Sequence, residues 1–384
     1  MRAFEARLNT MALLSRTDRS LLARWWWTID HWSAACIAGL IAAGLLLALA
    51  ASPAVAHRIG LEPFYFVYRQ LSFVAPSLIL IFAVSLLGPR DVRRFALLLF
   101  VGAFILLVAT LFIGPEIKGA TRWLQVGVFS LEPSEFVKPA VVVLIATVLA
   151  ERNRNPKFPG TAFAVALYAM VAGVLVLQPD FGQTLLLTVV CAALFFLAGL
   201  RWYWMAGFGA AAMAGAVGTY FLVPHVASRV DRFVSPDHGD SFQVSTALSA
   251  FTQGGLTGVG PGEGTVKFVL PDAHTDFIFA VAGEEFGLAA CVVLILLFAV
   301  IVVRALNRAL AEKDHFIQLA AAGLAMMFGL QAFINIAVNL SLIPAKGMTL
   351  PFVSYGGSSM LALALTTGML LALTRRRPPT AQRR

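Results

Sequence analysis

Charge is scarce in this chain. Asp, Glu, Lys and Arg make up 13% of its 384 residues, about half of what a soluble domain carries. Hydrophobic residues make up 59% and mean hydropathy is +0.82, which excludes an ordinary water-soluble globule. Cysteine is nearly missing as well. Cys36, Cys191 and Cys291 all lie inside apolar runs, so there is no disulfide framework and no metal-ligand spacing. His225, His238 and His274 form no compact ligand motif either. No internal repeat is visible, which argues against a transporter built from inverted repeats. No cleavable signal pattern opens the chain. Residues 1–31 are polar and Arg-containing and run through Trp25, Trp26 and Trp27, the pattern of a tail followed by an interfacial aromatic belt.

What is present is apolar blocks near the ~20 residues that cross a hydrocarbon core of ~30 Å. They predict an all-α polytopic membrane protein with ten transmembrane helices, near 32–52, 68–88, 93–113, 134–151, 161–177, 182–199, 202–223, 277–303, 317–342 and 357–374. The expected organisation is an amino-terminal tail over 1–31, a membrane domain over 32–374 and a basic tail over 375–384. The net charge of +9 is not a nucleic-acid footprint, because the basic residues sit in short loops and tails. Of the Lys and Arg residues, 20 fall on the face that carries both termini and 9 on the other. The positive-inside rule therefore predicts cytoplasmic termini and an external segment over 224–276, between spans seven and eight. That segment is too long to be a mere connection.

The external segments hold the informative polar residues. "KGATRWLQVGVFSLEPSEFVKPA" carries Lys118, Arg122, Trp123, Ser134, Glu135 and Lys138. Glu135 and Lys138 share a helix face at i, i+3. Lys138 then either pairs with Glu135 and snorkels or serves a site, since a charge at mid-bilayer costs about 2.5–3.5 kcal/mol. Asp180 in "LQPDFGQT" reads equally as a helix N-cap. "IPAKGMTLPFVSYGGSSM" holds Lys346, Ser354, Tyr355 and a Gly356–Gly357 pair that suits either helix packing or backbone approach to an anion. "GGLTGVGPGEG" lacks the Gly-Lys-Ser/Thr ending of a phosphate loop, and its glycines are expected to shape a loop folded over a site.

"LPDAHTDFIF" is the most telling stretch, with four polar residues in the five from Asp272 to Asp276 at the door of a span. Counting back from Arg304 along a continuous helix puts the hydrocarbon edge near Glu284 and Glu285, and eight further residues add about 12 Å. Asp276 then lies in the headgroup layer with His274 and Thr275. Thr275 and Asp276 are capping types. A carboxylate in the company of Arg122, Lys118 and Lys267 also suits a general base beside an anionic leaving group.

Together these motifs resemble the SEDS family (shape, elongation, division, sporulation) from about residue 30 to 374, in order and on the expected face. "KGATRWL", "FVSYGGSS" and the tail ending in three tryptophans resemble its division branch more than its elongation branch. The resemblance implies a peptidoglycan glycosyltransferase that polymerises lipid II, a disaccharide-pentapeptide on undecaprenyl pyrophosphate, on the outer face of the bacterial inner membrane at the division septum. The family's essential acidic residue maps onto Asp276. Its Arg–Trp and Ser–Glu/Lys positions map onto Arg122, Trp123, Ser134, Glu135 and Lys138. Lys118, Lys267, His274, Thr275, Lys346, Ser354 and Tyr355 complete the expected substrate contacts. Gln178 departs from relatives that carry an acid there. No organic cofactor is implied, and a divalent cation is left open. The implied partners are a class B penicillin-binding protein transpeptidase and other division membrane proteins, with no nucleic acid.

A lipid II flippase, an elongation polymerase and a noncatalytic scaffold remain as alternatives. A flippase would need charges along a transmembrane path, whereas the polar residues here crowd one face.

Overall fold

The computed structural model describes residues 20–116, 121–127, 129–222, 227, 231, 242–344 and 347–376. The chain folds as a helical bundle with one small hairpin. Helix α1 (Leu21–Thr28) lies before α2 (His31–Arg58), α3 (Tyr65–Ser85) and α4 (Pro89–Ile113). Strands β1 (Leu124–Val126) and β2 (Phe129–Leu131) pair antiparallel, with Leu124 opposite Leu131. Then come α5 (Pro133–Arg154), α6 (Gly160–Leu177), α7 (Phe181–Leu197) and α8 (Trp202–Leu222). Helix α9 (Phe242–Gly254) and a 3-10 turn (Val266–Phe268) occupy the long segment read as a loop. Helices α10 (Ile278–Ala311), α11 (His315–Asn339) and α12 (Gly357–Thr374) finish the bundle.

Eight of these, α2 to α6 and α10 to α12, are long and apolar enough to cross a membrane, and α7 is a shorter apolar helix of 17 residues. The chain is therefore an all-α polytopic membrane protein. Helices α12, α5 and α11 are the most enclosed, while α4, α6 and α10 turn most of their surface outward. Small residues explain the centre, because close backbone approach drives helix association where lipid is as apolar as the core. A side chain at Gly368 in α12 would come within 2.8 Å of Val84, and one at Gly323 in α11 within 2.7 Å of Val142.

At one end of the bundle both described termini meet. Arg304 donates twice to the Asp30 carboxylate, at 2.9 and 2.7 Å, and Arg308 lies 2.9 Å from it. Burial pushes the Asp30 carboxyl up, but these arginines and the Ser33 hydroxyl outweigh it and hold it down to about 2. Trp25 Nε1 donates to Ser85 Oγ at 2.7 Å, which pins α1 across this basic end.

The opposite end carries the long segment, and here the structure departs from the continuous-helix count. Helix α10 is broken at Gly287, whose φ of 72° and ψ of −174° are open only to glycine. A Cβ there would collide with the Gly258 backbone. The groups freed by the break are taken up by the glycine-rich loop. Leu288 N donates to Gly255 O at 2.9 Å, and Val259 and Gly260 N donate to Glu284 and Glu285 O at 3.0 and 3.1 Å. Those glycines fold over the break in α10. The chain from Pro271 to Phe277 is turn rather than helix, so Asp276 does not extend the α10 axis.

Candidate active site

The helix ends at the loop end are joined by a seam of polar side chains that begins at Arg122. The β1–β2 hairpin carries the chain from Arg122 to Glu132, at the foot of α5. Arg122 Nη2 donates to Pro179 O at 2.7 Å, and Nη1 lies 3.5 Å from Asp180 Oδ1. Its side chain is 23% exposed while that of Asp180 is 3% exposed, so the guanidinium can meet a ligand and the carboxylate cannot. Asp180 also caps α7 by accepting from Gln183 N at 3.5 Å. The N-cap reading of Asp180 is the one that its buried carboxylate fulfils.

One turn into the bundle, Lys138 is held rather than snorkelled. Its Nζ donates to Glu135 Oε1 at 2.9 Å, Gln183 Oε1 at 2.6 Å and Gln331 Oε1 at 3.4 Å. Gln183 Nε2 also donates to Glu135 Oε1, at 2.6 Å. All four residues are buried, and the reciprocal bonds offset a desolvation that an unpaired ammonium would not survive. Ser134 Oγ donates to Glu132 Oε1 at 3.1 Å. Burial, reinforced by the Glu135 and Asp180 charges, pushes the Glu132 carboxyl up, and burial pushes Asp180 up too.

Gln331 passes the seam to Asp276. Gln331, Asn335 and Asn339 stand at i, i+4 and i+8 on one face of α11. Gln331 Nε2 donates to Thr349 O at 3.2 Å. Asn335 Nδ2 donates to Asp276 O at 2.9 Å and Met348 O at 2.7 Å. Asn339 Nδ2 donates to the same Asp276 carbonyl at 2.9 Å, and its Oδ1 accepts from Ala280 N at 3.1 Å. Two asparagines thus clamp the main chain of Asp276. Its carboxylate lies against Gly347, where a Cβ would sit 3.2 Å from Oδ2.

The flanking residues of the motif tie down the second loop. Ser354 Oγ donates to Thr275 O at 2.5 Å, and Tyr355 N donates to His274 O at 2.9 Å. The His274 ring lies 4.4 Å from the Phe66 ring and 5.4 Å from the Tyr355 ring. Burial pushes its pKa down to about 4, so it is neutral at neutral pH and adds no cation.

Of the residues expected at a site, Arg122, Ser134, Glu135, Lys138, His274, Thr275, Asp276, Ser354 and Tyr355 lie along this seam. Trp123 is half-buried beside Gly114. The structure does not bring Lys267 into the group. Its ammonium pairs with the buried Glu285, and its backbone N–H donates to Glu284 Oε2 at 3.0 Å. Its charge is consumed in docking the long segment onto α10. Lys118, Lys346, His225 and His238 lie outside the described residues. Gln178 is buried and donates to Leu107 O at 2.8 Å and to Thr110 Oγ1, a structural tie between α4 and the turn before α7. Sequence reading missed Gln331, Asn335 and Asn339, although three amides at a spacing of four inside an apolar span are a signal.

The sequence profile of the FtsW, RodA and SpoVE family, described as "Cell cycle protein", matches residues 31–378. The chain is 50% identical over 371 residues to a Caulobacter vibrioides protein named "Probable peptidoglycan glycosyltransferase FtsW", covering 96% of this chain and 95% of that one. It is 34% identical over 344 residues to Stage V sporulation protein E of Bacillus subtilis, covering 88% and 94%. A chain from a peptidoglycan synthase complex, solved to describe the structural coordination of polymerization and crosslinking, superposes with a TM-score of 0.75. That pair is 28% identical and covers 90% of this chain and 97% of that one. Rod shape determining protein RodA of Thermus thermophilus gives 0.67 at 27% identity, covering 90% and 96%.

Proposed function

We propose, on the premise that this chain belongs to the cell cycle protein family of FtsW, RodA and SpoVE, that Asp276 is the general base of a glycosyl transfer at the outer membrane surface. The chain is a peptidoglycan glycosyltransferase. Its substrate is lipid II, its fold has ten spans with α7 and α8 as the remaining two, and both termini are cytoplasmic. It works at the division septum with a class B penicillin-binding protein and other division proteins. The observation that carries the reading is the double clamp on the Asp276 carbonyl, because a base must be held in one geometry to act.

The chemistry balances within this set of residues. The acceptor hydroxyl oxygen bonds to the anomeric carbon of the donor as the bond from that carbon to the diphosphate breaks. The hydroxyl proton passes to Asp276, and the electron pair of the broken bond stays on the diphosphate. A single displacement inverts the anomeric centre, so an α-linked donor becomes a β-linked glycan. A positioned base supplies about 10²–10⁴-fold. The diphosphate needs positive charge rather than an acid, which Arg122 offers at the rim, backed by Lys138. Neutral His274 and the aromatic rings around it wall the site.

The test is Asp276→Asn, with Asp272→Asn as the comparison, read as polymer formed from labelled lipid II by the purified protein. The amide keeps the size of Asp276 and leaves its clamped carbonyl in place, so near-complete loss of polymer is expected with unchanged thermal unfolding. A folded Asp276→Asn protein that polymerises at the wild-type rate rejects the base. Orientation is tested by thiol labelling in intact cells. Asn155→Cys and Leu310→Cys should be shielded from an impermeant reagent and His238→Cys should label; labelling of Leu310→Cys from outside reverses the topology.

A further inference from the structure

A polymerisation step of the kind proposed above joins two lipid-linked sugars, and each brings its own diphosphate. Arg122, among α5 and α7, is placed for one of them. The second diphosphate belongs two sugar rings away from the attacking hydroxyl, so a separate anion site is required elsewhere around Asp276.

The junction of α3 and α12 has the features of such a site. Phe66, Gln70, Phe73 and Ser77 recur at i+4, i+3 and i+4 and so share one face of α3. Phe66 at the top of this stripe packs against His274 and Tyr355, with ring centroids 4.4 and 5.1 Å away. Phe73 fills the space left by Gly357, where any side chain would collide with its ring. Gln70, between those two contacts on the same face, is therefore carried over the first turn of α12. It is 1% exposed, yet neither its Nε2 nor its Oε1 has a partner among the described residues. A buried amide left so would cost about 1–3 kcal/mol. His274 Nδ1, at the upper end of the same junction, is likewise buried and without a partner.

The helix below supplies what an anion needs. Helix α12 begins at Gly357 with Gly356 as its N-cap and no side-chain cap, so its first N–H groups have no partner within the helix. An 18-residue helix brings partial positive charge to that end. Arg69 adds a full charge next to Gln70. It donates to Tyr65 Oη at 2.9 Å.

We propose that the α3–α12 junction, with Arg69, Gln70 and the backbone N–H groups at Gly357 and Ser358, is a second diphosphate site that holds the head of the other lipid-linked substrate. Gln70 Nε2 and the α12 N–H groups donate to phosphate oxygens, Arg69 balances the charge from the rim, and Gln70 Oε1 accepts from a hydroxyl of the same substrate. This rests on the glycosyltransferase reading, but its test does not depend on turnover.

The test counts binding sites for geranylgeranyl diphosphate on the full chain in lipid nanodiscs, in an Asp276→Asn background so that no reaction intervenes. Two sites per chain are expected. Gln70→Met, which conserves volume, and Arg69→Gln, on the half-exposed rim, should each weaken one site by about tenfold or more, the worth of a hydrogen bond to a charged group. Arg122→Gln should weaken the other, and Gln70→Met with Arg122→Gln should weaken both. A single site in the parent protein, removed by Arg122→Gln alone, overturns the proposal. So does a Gln70→Met protein that melts higher and still binds at both sites, since the pocket then holds only water. Inorganic pyrophosphate at the same concentration should not compete, and equal competition refutes the lipid as the source of the anion. Failure of the Arg122 site alone would count against the glycosyl-transfer assignment and leave this site standing.

Discussion

The clamp on Asp276 makes a quantitative prediction. Asn335 and Asn339 donate to the same carbonyl, each at 2.9 Å, so either alone can hold it. Asn335→Ala orphans Met348 O and should cost about 1–3 kcal/mol of stability for the buried group left without a partner. After Asn339→Ala the Ala280 N–H keeps its bond to Phe277 O at 3.0 Å, so that change should cost less. Neither single change frees Asp276, and kcat should fall by about tenfold or less. The double variant removes both donors. A displacement of about 1 Å at a reacting group costs about 10²-fold, so its kcat should fall further than the product of the single effects, with a coupling of at least about 1 kcal/mol. KM for lipid II should hold, because the cations lie on other elements. The assay is initial rate of polymer from labelled lipid II, with thermal unfolding in the same detergent. Gly368→Ala, where a Cβ would come within 2.8 Å of Val84 away from the site, supplies a protein destabilised for another reason. A double variant that turns over at the wild-type rate, or a Gly368→Ala protein that loses kcat in step with its melting temperature, refutes the positioning role.

Two more outcomes follow from buried titratable groups. Lys267→Met should destabilise the protein by about 3–5 kcal/mol, because it leaves Glu285 buried and unpaired, and Lys267→Met with Glu285→Gln should recover most of that by thermal unfolding. If Lys267 docks the long segment and does not bind substrate, this double variant keeps its KM for lipid II; a raised KM in a fully folded sample refutes the docking role. His274 is held down to about 4, below its ordinary value of 6.5, so the unfolded chain takes up the proton first. Stability should therefore decline as pH falls from about 6.5 to about 4 and gain no further decline from this group below that. His274→Gln should flatten that part of the melting-temperature profile, and an unchanged slope would show that His274 is not the group responsible.

Much of this architecture is legible in the linear sequence, because a bilayer imposes length and apolarity on every crossing segment separately. The stretch around α2 announces itself without reference to any neighbour, and so does that around α11. The pairing of Lys138 with Glu135 is equally local, since both sit on one turn of α5. Misjudged features depend on distant chain segments. Lys267 looks like one more external cation until α10 brings Glu285 beneath it, and the helix count from Arg304 holds only if α10 is unbroken at Gly287. The glycines of the long segment gave no hint that they receive the backbone groups of that break.

Sequence alone determined the membrane class, because each crossing segment must be long and apolar by itself, and it singled out Asp276 as a candidate, because a charge at the door of an apolar span is costly enough to mark itself. Tertiary structure alone decided what holds the Asp276 main chain and that the Lys267 charge is taken up by Glu285. Asn335 and Asn339 become a clamp only when the Asp276 turn lies across α11, and Gln70 becomes a candidate ligand only when α3 lies across the start of α12. Hydrogen bonds reach only about 3 Å, so their partners are set by which helices become neighbours, and nothing in the spacing along one chain encodes that.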